Sequence, residues 1–493
     1  MTLGPHTAIV RDEIVRLLDA TTAPATRAVL GELADELDRP LRLAVTGRVN
    51  AGKSTLVNAL LRQRIAPTDV SESTQYAAWF RFVTPERVEV VGPDGTRRQV
   101  ALRPDGRLPA ALGDLNDHDV ARIDVFLSNE TLRTMTLIDT PGLASSRDDV
   151  QVTDAVLALD RRTRVALAEA EAMLFVVAGD LRSNEAVLLD EFHRITGGLA
   201  PTSVNTLAVV SRVDQVVDVG VDPIGAASAT CAALGRQLRS TASHVLPIVG
   251  LLAETAESGA LTDADLALLS TMAEDRQRFQ RALLSVDRFA RAEQIGGTPS
   301  QRERLLDLLD LHGLWLLAER IGAGSATPRQ LVDELRARSG IDGVRAAIHH
   351  DLTNHADVLK ASWALGGLQD LAFKVDLDDR DRLIDLAERL ELSPAMHRVA
   401  EISALREVAG EHADLASVDA DEVRRLVHGR DAFERLGAPS DTDSDEARAI
   451  AVGAAGRWRA AGNDGSASPS LRSIAAVFAR SYELLAAELQ VQR

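Results

Sequence analysis

The chain has 493 residues, 45% of them apolar and 26% charged, a composition ordinary for a folded globular protein of two or three domains. Its net charge of −18 argues against non-specific binding to nucleic acid and leaves no overall attraction to anionic lipid, so any membrane contact must be local. The single cysteine, Cys231, excludes an intramolecular disulfide and a cysteine-cluster metal site, and fits a reduced, cytoplasmic compartment. Met1 to His6 lacks the basic and apolar regions of a signal peptide, and no run of about 18 apolar residues is present to span a bilayer.

Residues 1–38 read as two helices. Ile9, Ile14, Leu17 and Leu18 form one apolar stripe, and Leu30, Leu33 and Leu37 form another, with a break at Thr21-Thr22-Ala23-Pro24. These helices come before the first strand and are expected to pack on distant C-terminal helices.

Residues 39–258 alternate strand and helix. Leu41 to Thr46 is short, apolar and partly β-branched, a buried strand. Gly47-Arg48-Val49-Asn50-Ala51-Gly52-Lys53-Ser54 follows, and Ser54 to Leu61 reads as a helix. Glycine, four residues, then Gly-Lys-Ser between a strand and a helix is the phosphate-binding P-loop. Backbone N–H groups from Gly47 to Thr55 wrap the phosphates at a helix N-terminus, Lys53 reaches the β- and γ-phosphates, and Ser54 ligates Mg²⁺. Lys53 is one of only three lysines among 55 basic residues, so a lysine there is not this chain's default cation.

Further strands are expected at Tyr76–Val83, Arg87–Val91, near Val100, Ile123–Phe126, Met135–Ile138, Ala172–Ala178, Thr206–Val210 and Val245–Val249. Three polar stretches at their ends carry chemistry. The loop Ala66 to Gln75 sits where a switch threonine closes over Mg²⁺; Thr74 is the first candidate and Thr68 the alternative. Asp139-Thr140-Pro141-Gly142 places a carboxylate for Mg²⁺, usually through water, and a Gly142 N–H for the γ-phosphate. Ser211-Arg212-Val213-Asp214 occupies the place of a guanine-reading motif. Asp214 can accept from the guanine ring N–H and amine together, and Arg212 can lie along the base. Ser211 replaces the usual asparagine and is expected to weaken the scaffold of the base pocket. Gly250, after the last strand, is expected to complete that pocket through its backbone.

Leu143 stands where small signalling GTPases carry a water-orienting glutamine, so the water must be positioned otherwise. Arg48 and Arg147 are candidate arginine fingers. Asn50 matches the P-loop of K⁺-activated, dimerisation-activated GTPases, where it ligates a monovalent cation; alternatively it only tolerates a tight loop backbone.

Residues 259–493 read as helical. Thr262, Thr327-Pro328, Ser393-Pro394 and Ser468-Pro469 mark helix starts. Arg302–Arg320 is one amphipathic helix, and a run from 342 to 373 is interrupted at Gly366-Gly367. The fold class is therefore an α/β P-loop GTPase domain, a mostly parallel sheet with helices on both faces, plus a helical bundle built by the two ends of the chain.

Together these motifs resemble the dynamin-like GTPases. Ala51–Leu60, Ile65–Asp69, Pro247–Ala253 and Arg281–Phe289 are similar to the mycobacterial isoniazid-inducible branch, as are the length and Ser211. The resemblance implies GTP hydrolysis with Mg²⁺ and self-association across GTPase faces. It also implies helical neck and trunk segments that move at the inner face of the cell membrane, bound peripherally to lipid. Trp363–Phe373 is the best candidate for an apolar membrane tip, but Asp370 interrupts it, which favours a bundle core or hinge. The alternative is a regulatory or scaffold GTP-binding partner of a membrane-active dynamin-like paralogue. A GTPase acting on RNA or ribosomes is disfavoured by charge.

Overall fold

A computed structural model describes residues 3–67, 76–109, 119–142, 165–167, 169–178, 204–238, 241–324, 326–353, 355–375, 377–409, 418–429 and 431–491. Two helices open it, α1 (Pro5–Ala20) and α2 (Pro24–Leu37), followed by β1 (Leu41–Gly47) and α3 (Lys53–Leu61). Then come β2 (Ala78–Phe82), β3 (Arg87–Val91), β4 (Arg97–Val100), β5 (Arg122–Leu127), β6 (Met135–Asp139), β7 (Ala172–Ala178) and β8 (Thr206–Ser211). After α4 (Pro223–Gln237) and β9 (Val245–Pro247), every described segment of regular structure is helical.

The strands form one sheet in the order β4-β3-β5-β2-β6-β1-β7-β8-β9. Pairing is parallel from β6 through β1, β7 and β8 to β9, while β2 joins β6 antiparallel and β3–β4 form an antiparallel edge. Apolar residues make up most of β1, β6, β7 and β8, and every residue of these strands except Ala178 is buried. Continuous apolar runs of this kind are what a parallel sheet covered on both faces requires. The expected P-loop fold with a helical remainder is what the chain forms.

The helical half begins with α5 (Gly250–Ser258), α6 (Asp263–Ala273), α7 (Arg276–Ala282) and α8 (Val286–Ala290). Next are α9 (Pro299–Gly322), α10 (Pro328–Ser339), α11 (Ile341–Ala347), a π-helical turn Ile348–Thr353, and α12 (Ala356–Ala372). Thr262, Thr298 and Thr327 each close a capping box with the residue three positions on, which fixes the starts of α6, α9 and α10. The chain ends with α13 (Leu377–Glu391), α14 (His397–Ala409), α15 (Ala420–His428), α16 (Ala432–Leu436), α17 (Ser444–Asn463) and α18 (Pro469–Val491).

The first two helices pack on α12, the distant partner their stripes demanded. Asp357 on α12 receives Thr7 N at 2.7 Å and His6 Nδ1 at 2.7 Å. Burial alone would raise the Asp357 carboxyl, but these bonds hold it down at about 2. Lys360 donates to the Glu36 carbonyl at 2.9 Å, closing the end of α2 against α12.

Three details differ from the sequence reading. Gly366 and Gly367 do not interrupt α12; a Cβ on Gly367 would lie 2.8 Å from Leu33, so glycine there admits α2 at close range. The long run breaks instead at the π-turn 348–353. The α9 helix is broken at Asp310, with φ 50° and ψ −174°. Such a backbone costs about 1–3 kcal/mol in a residue with a Cβ. Asp310 Oδ1 accepts the Leu311 N–H at 2.7 Å, and Thr255 donates to the Leu308 carbonyl at 2.5 Å, so groups at the break are satisfied from outside the helix ladder.

At the sheet's other end Asp351, on the π-turn, accepts from Ser243 Oγ at 2.9 Å and pairs with His244 Nδ1 at 2.6 Å. Burial opposes the Asp351 charge, but His244 and the other bonds hold the carboxyl at about 2, while Asp351 raises the His244 imidazole. A raised histidine stabilises fully below its unfolded pKa and loses that as pH rises through its folded value; the depressed carboxyl keeps its share until pH falls toward 2. Burial lowers His355 and His428, which pull the other way on acidification. The stabilising effect of His244 over His244→Ala, read as a difference in Tm, is therefore expected to be larger at pH 6 than at pH 8. A difference independent of pH contradicts the ion pair.

Candidate functional site

The carboxyl ends of β6, β1, β7 and β8 lie side by side, and the turns leaving them build the site. Register fixes the arrangement: Val45 pairs with Asp139, Gly47 with Val176, and Ala178 with Ser211. β1 runs into the phosphate loop at Gly47, whose φ is 148° and where a Cβ would sit 2.2 Å from the Val176 carbonyl oxygen. No other residue fits. Asn50 (φ 62°) and Gly52 (φ 87°) turn the loop through left-handed conformations, and Gly52 forms the N-cap of α3. Asparagine tolerates this backbone better than most residues, which accounts for Asn50 without any ligand. Ala51 is buried, Asn50 is exposed, and Thr55 lies on the first turn of α3.

Lys53 is 6% exposed, and its Nζ donates to the Arg48 carbonyl at 2.8 Å. Burial pushes its pKa down to about 8, against the pull of Asp139. A buried ammonium beside a glycine loop is poised for an anion, which would restore its charge. Ser54 Oγ donates to Asp139 Oδ2 at 2.9 Å. Asp139 is fully buried, its Oδ1 has no partner among the described residues, and burial raises its carboxyl to about 6 despite Lys53 and Ser54. A hydroxyl and a carboxylate with one oxygen free are hard donors of the kind Mg²⁺ takes, and the pair fits that ion.

Thr140 Oγ1 donates to the Val45 carbonyl at 2.9 Å, tying the turn after β6 to β1. A Cβ on Gly142 would lie 2.6 Å from Val49 Cα, so the glycine brings its backbone directly against the phosphate loop. Thr68, Thr74, Leu143 and Arg147 lie outside the described residues.

Ser211 revises an expectation. Its Oγ lies 2.6 Å from the Ala51 carbonyl and 3.1 Å from the Val177 carbonyl. The short side chain reaches because strand register brings β8 close to the loop, and a Cβ on Gly52 would stand only 3.8 Å from Ser211. The tie between base-side and phosphate-side elements is present with serine. Arg212 then adopts φ 56°, and Asp214 follows in a short 3₁₀ turn, Val213–Val216. Burial raises the Asp214 carboxyl to about 6, with Asp310 of the α9 break adding to the rise and Arg212 opposing it. Gly250 opens α5, and a Cβ there would stand 3.6 Å from Thr55. The structure thus brings together Gly47, Asn50, Ala51, Gly52, Lys53, Ser54, Thr55, Asp139 and Gly142. Ser211 links them to the turn carrying Arg212 and Asp214.

Sequence reasoning missed the anchors: Thr140, the tie made by Ser211, and Asn58, which is 1% exposed on α3 and bonded to residues 65 and 66. Only Asn58 left a signal, a polar residue on the apolar face of its helix.

Residues 42–198 match the family model of a 50S ribosome-binding GTPase. Over 98% of its length the chain is 29% identical to the isoniazid-induced protein IniC of Mycobacterium tuberculosis, covering 99% of that protein. A dynamin-like protein 2 of Campylobacter jejuni is 28% identical over 125 residues, 25% of this chain and 20% of that one. A chain from an oligomerised bacterial dynamin pair, described as sensing and tethering membranes, aligns over 98% of this chain and 90% of its own. Its TM-score is 0.34 at 13% identity, too low to carry an argument. The resemblance to the isoniazid-inducible branch of bacterial dynamin-like proteins, first seen in local stretches, extends along the whole chain, and its α/β part is a GTPase domain.

Removing the Ser211 hydroxyl leaves the Ala51 carbonyl unpaired beside the phosphates. Ser211→Ala is expected to weaken GDP and GTP alike by roughly 5- to 30-fold, the worth of one buried hydrogen bond. Isothermal titration checks this; unchanged affinity contradicts the tie.

Proposed function

We propose that the chain binds GTP and hydrolyses it with Mg²⁺, and that the nucleotide cycle drives self-association and movement of the helical half. The observation that carries this reading is the Ser54–Asp139 pair with its free buried Oδ1, set beside a desolvated Lys53. When bound, Mg²⁺ neutralises charge on the β- and γ-phosphates. Ser54 and Asp139 would hold it, Asp139 through water, joined by Thr74. Lys53 leaves the Arg48 carbonyl for the phosphate oxygens. The Gly142 N–H donates to the γ-phosphate and loses that partner on hydrolysis. Asp214 accepts from the guanine edge and Arg212 lies along the base.

Leu143 has no group to orient water, so the site is completed from elsewhere. Asn50 is exposed at the mouth of the loop, and the proposed occupant of that side is a monovalent cation such as K⁺ or a second subunit. Self-association across the GTPase faces is supported by the family resemblance. A peripheral location at the inner membrane face rests on the resemblance alone.

Two observations favour a second reading. Most of Trp363–Phe373 does not form an exposed apolar tip: Ala364, Leu365, Leu368, Leu371 and Ala372 are buried in the bundle, while Phe373 at its end is exposed. No described helix is long and apolar enough to cross a membrane. A GTP-binding partner of a membrane-active paralogue fits those facts. The ribosome named by the matching model belongs to a description of residues 42–198, and a chain of charge −18 is a poor ligand for RNA.

Lys53→Ala is expected to lower GTP turnover by at least about 100-fold, the order of a lost charge at the transition state; turnover near wild type would falsify the enzyme reading. Asp214→Asn is expected to exchange preference from GTP to xanthosine triphosphate. No exchange removes Asp214 from the base pocket.

A further inference from the structure

The break in α9 brings a carboxylate from the helical half to the base side of the nucleotide site. Asp310 leaves the helix with φ 50° and ψ −174°, a backbone that favours glycine. The break has a fixed place. Thr255 of α5 donates to the Leu308 carbonyl at 2.5 Å. A Cβ on Gly313 would stand 2.5 Å from Leu252, so α5 and α9 cross at close range there. The α5 helix in turn begins at Gly250, beside Thr55 of the phosphate-loop helix. Past the break, α9 meets the loop that follows the turn carrying Asp214. A Cβ on Gly220 would lie 3.4 Å from Trp315. Residues 220–223 and the α9 side chains His312, Trp315 and Leu316 line one cavity of about 300 Å³.

One oxygen of Asp310 has a partner: Oδ1 accepts the Leu311 N–H at 2.7 Å. Among the described residues Oδ2 accepts no hydrogen bond, and no arginine or lysine pairs with this carboxylate. Its charged neighbour is Asp214. Burial raises the Asp214 carboxyl to about 6, and Asp310 adds to the rise while Arg212 opposes it. Two carboxylates without a cation between them repel. A cap for Leu311 N alone does not call for this charge. Asparagine would offer the same oxygen, and it tolerates a positive φ as well as aspartate does. Guanine supplies a reason for the charge. Its 2-amino group has two N–H bonds, and a carboxylate that also takes the ring N–H accepts only one of them.

We propose that Asp310 is a specificity-determining residue of the base pocket, its Oδ2 accepting the second N–H of the guanine 2-amine. The amine then bridges Asp214 and Asp310 and offsets their repulsion. Because Asp310 lies on α9, the helical half takes part in choosing the nucleotide. The proposal rests on the guanine reading of Asp214.

The test is a calorimetric titration of the full chain with GDP and with inosine diphosphate, which has a C–H in place of the amine. It is run at pH 8, above the Asp214 value of about 6. Asp310→Gly suits the backbone at the break and removes the acceptor. It is expected to weaken GDP by at least about tenfold, the order of one hydrogen bond to a charged group, and to leave inosine diphosphate within about twofold. Asp310→Asn keeps an oxygen for Leu311 N but sets an N–H against the guanine amine. It is expected to lose GDP as Asp310→Gly does, and it carries the test if Asp310→Gly does not fold. Equal weakening of both nucleotides, wild-type GDP affinity in either variant, or a loss in Asp310→Gly that Asp310→Asn restores would each overturn the proposal; the last result assigns Asp310 to capping alone. A wild-type preference for GDP that survives in both variants leaves Asp214 as the reader and removes Asp310. Wild-type protein with no preference for GDP removes the guanine reading and this proposal with it.

Discussion

Everything at the site depends on the register of four parallel strands. With Val45 opposite Asp139, Gly47 opposite Val176 and Ala178 opposite Ser211, the ends of β6, β1, β7 and β8 form one edge. A slip of one residue turns every side chain to the other face. It would also separate Ser54 from Asp139 and Ser211 from Ala51. Glycine at 47 and 142 then follows from steric necessity, since any Cβ there would strike β7 or the phosphate loop.

The site is also where the chain gives up stability. Lys53 is pushed down to about 8, and Asp139 and Asp214 are pushed up to about 6, in each case chiefly by burial. A carboxyl whose pKa is raised by folding destabilises the folded state above its ordinary range. At Lys53 and Asp139, charges of opposite sign brought by phosphates and a divalent ion would offset this, and at Asp214 the N–H donors of a guanine would, so the same groups that weaken the protein alone make it responsive to ligand. Around Glu254 and Glu257 the chain does the reverse. Each buried carboxylate is supplied with arginines or an amide, and the result is a fixed joint between the nucleotide domain and the helices after it.

The sheet and the phosphate loop were legible because they rest on local rules: apolar runs for buried strands, glycines for tight turns, threonine and proline at helix starts. Long-range contacts left no such trace. Side-chain length alone makes Ser211 a weak substitute for asparagine; strand register closes the gap. The break at Asp310 was invisible because Asp is unremarkable on a helix surface, and only Thr255, 55 residues earlier in the chain, shows why the turn opens. Gly366 and Gly367 looked like helix breakers, yet Gly367 is there to admit Leu33. What α1 and α2 pack against could be named as a distant helix, but its identity as α12 needed the structure.

We propose a single guanine-nucleotide site at those strand ends, with Ser54 and Asp139 as the residues that would hold Mg²⁺. The most direct measurement is a calorimetric titration of the full chain with GDP, a non-hydrolysable GTP analogue and ADP, each with and without Mg²⁺. One site per chain is expected for both guanine nucleotides, with tighter analogue binding in the presence of Mg²⁺ than without it, and no saturable ADP binding. Equal affinity for ADP, or no guanine-nucleotide binding at all, would contradict it.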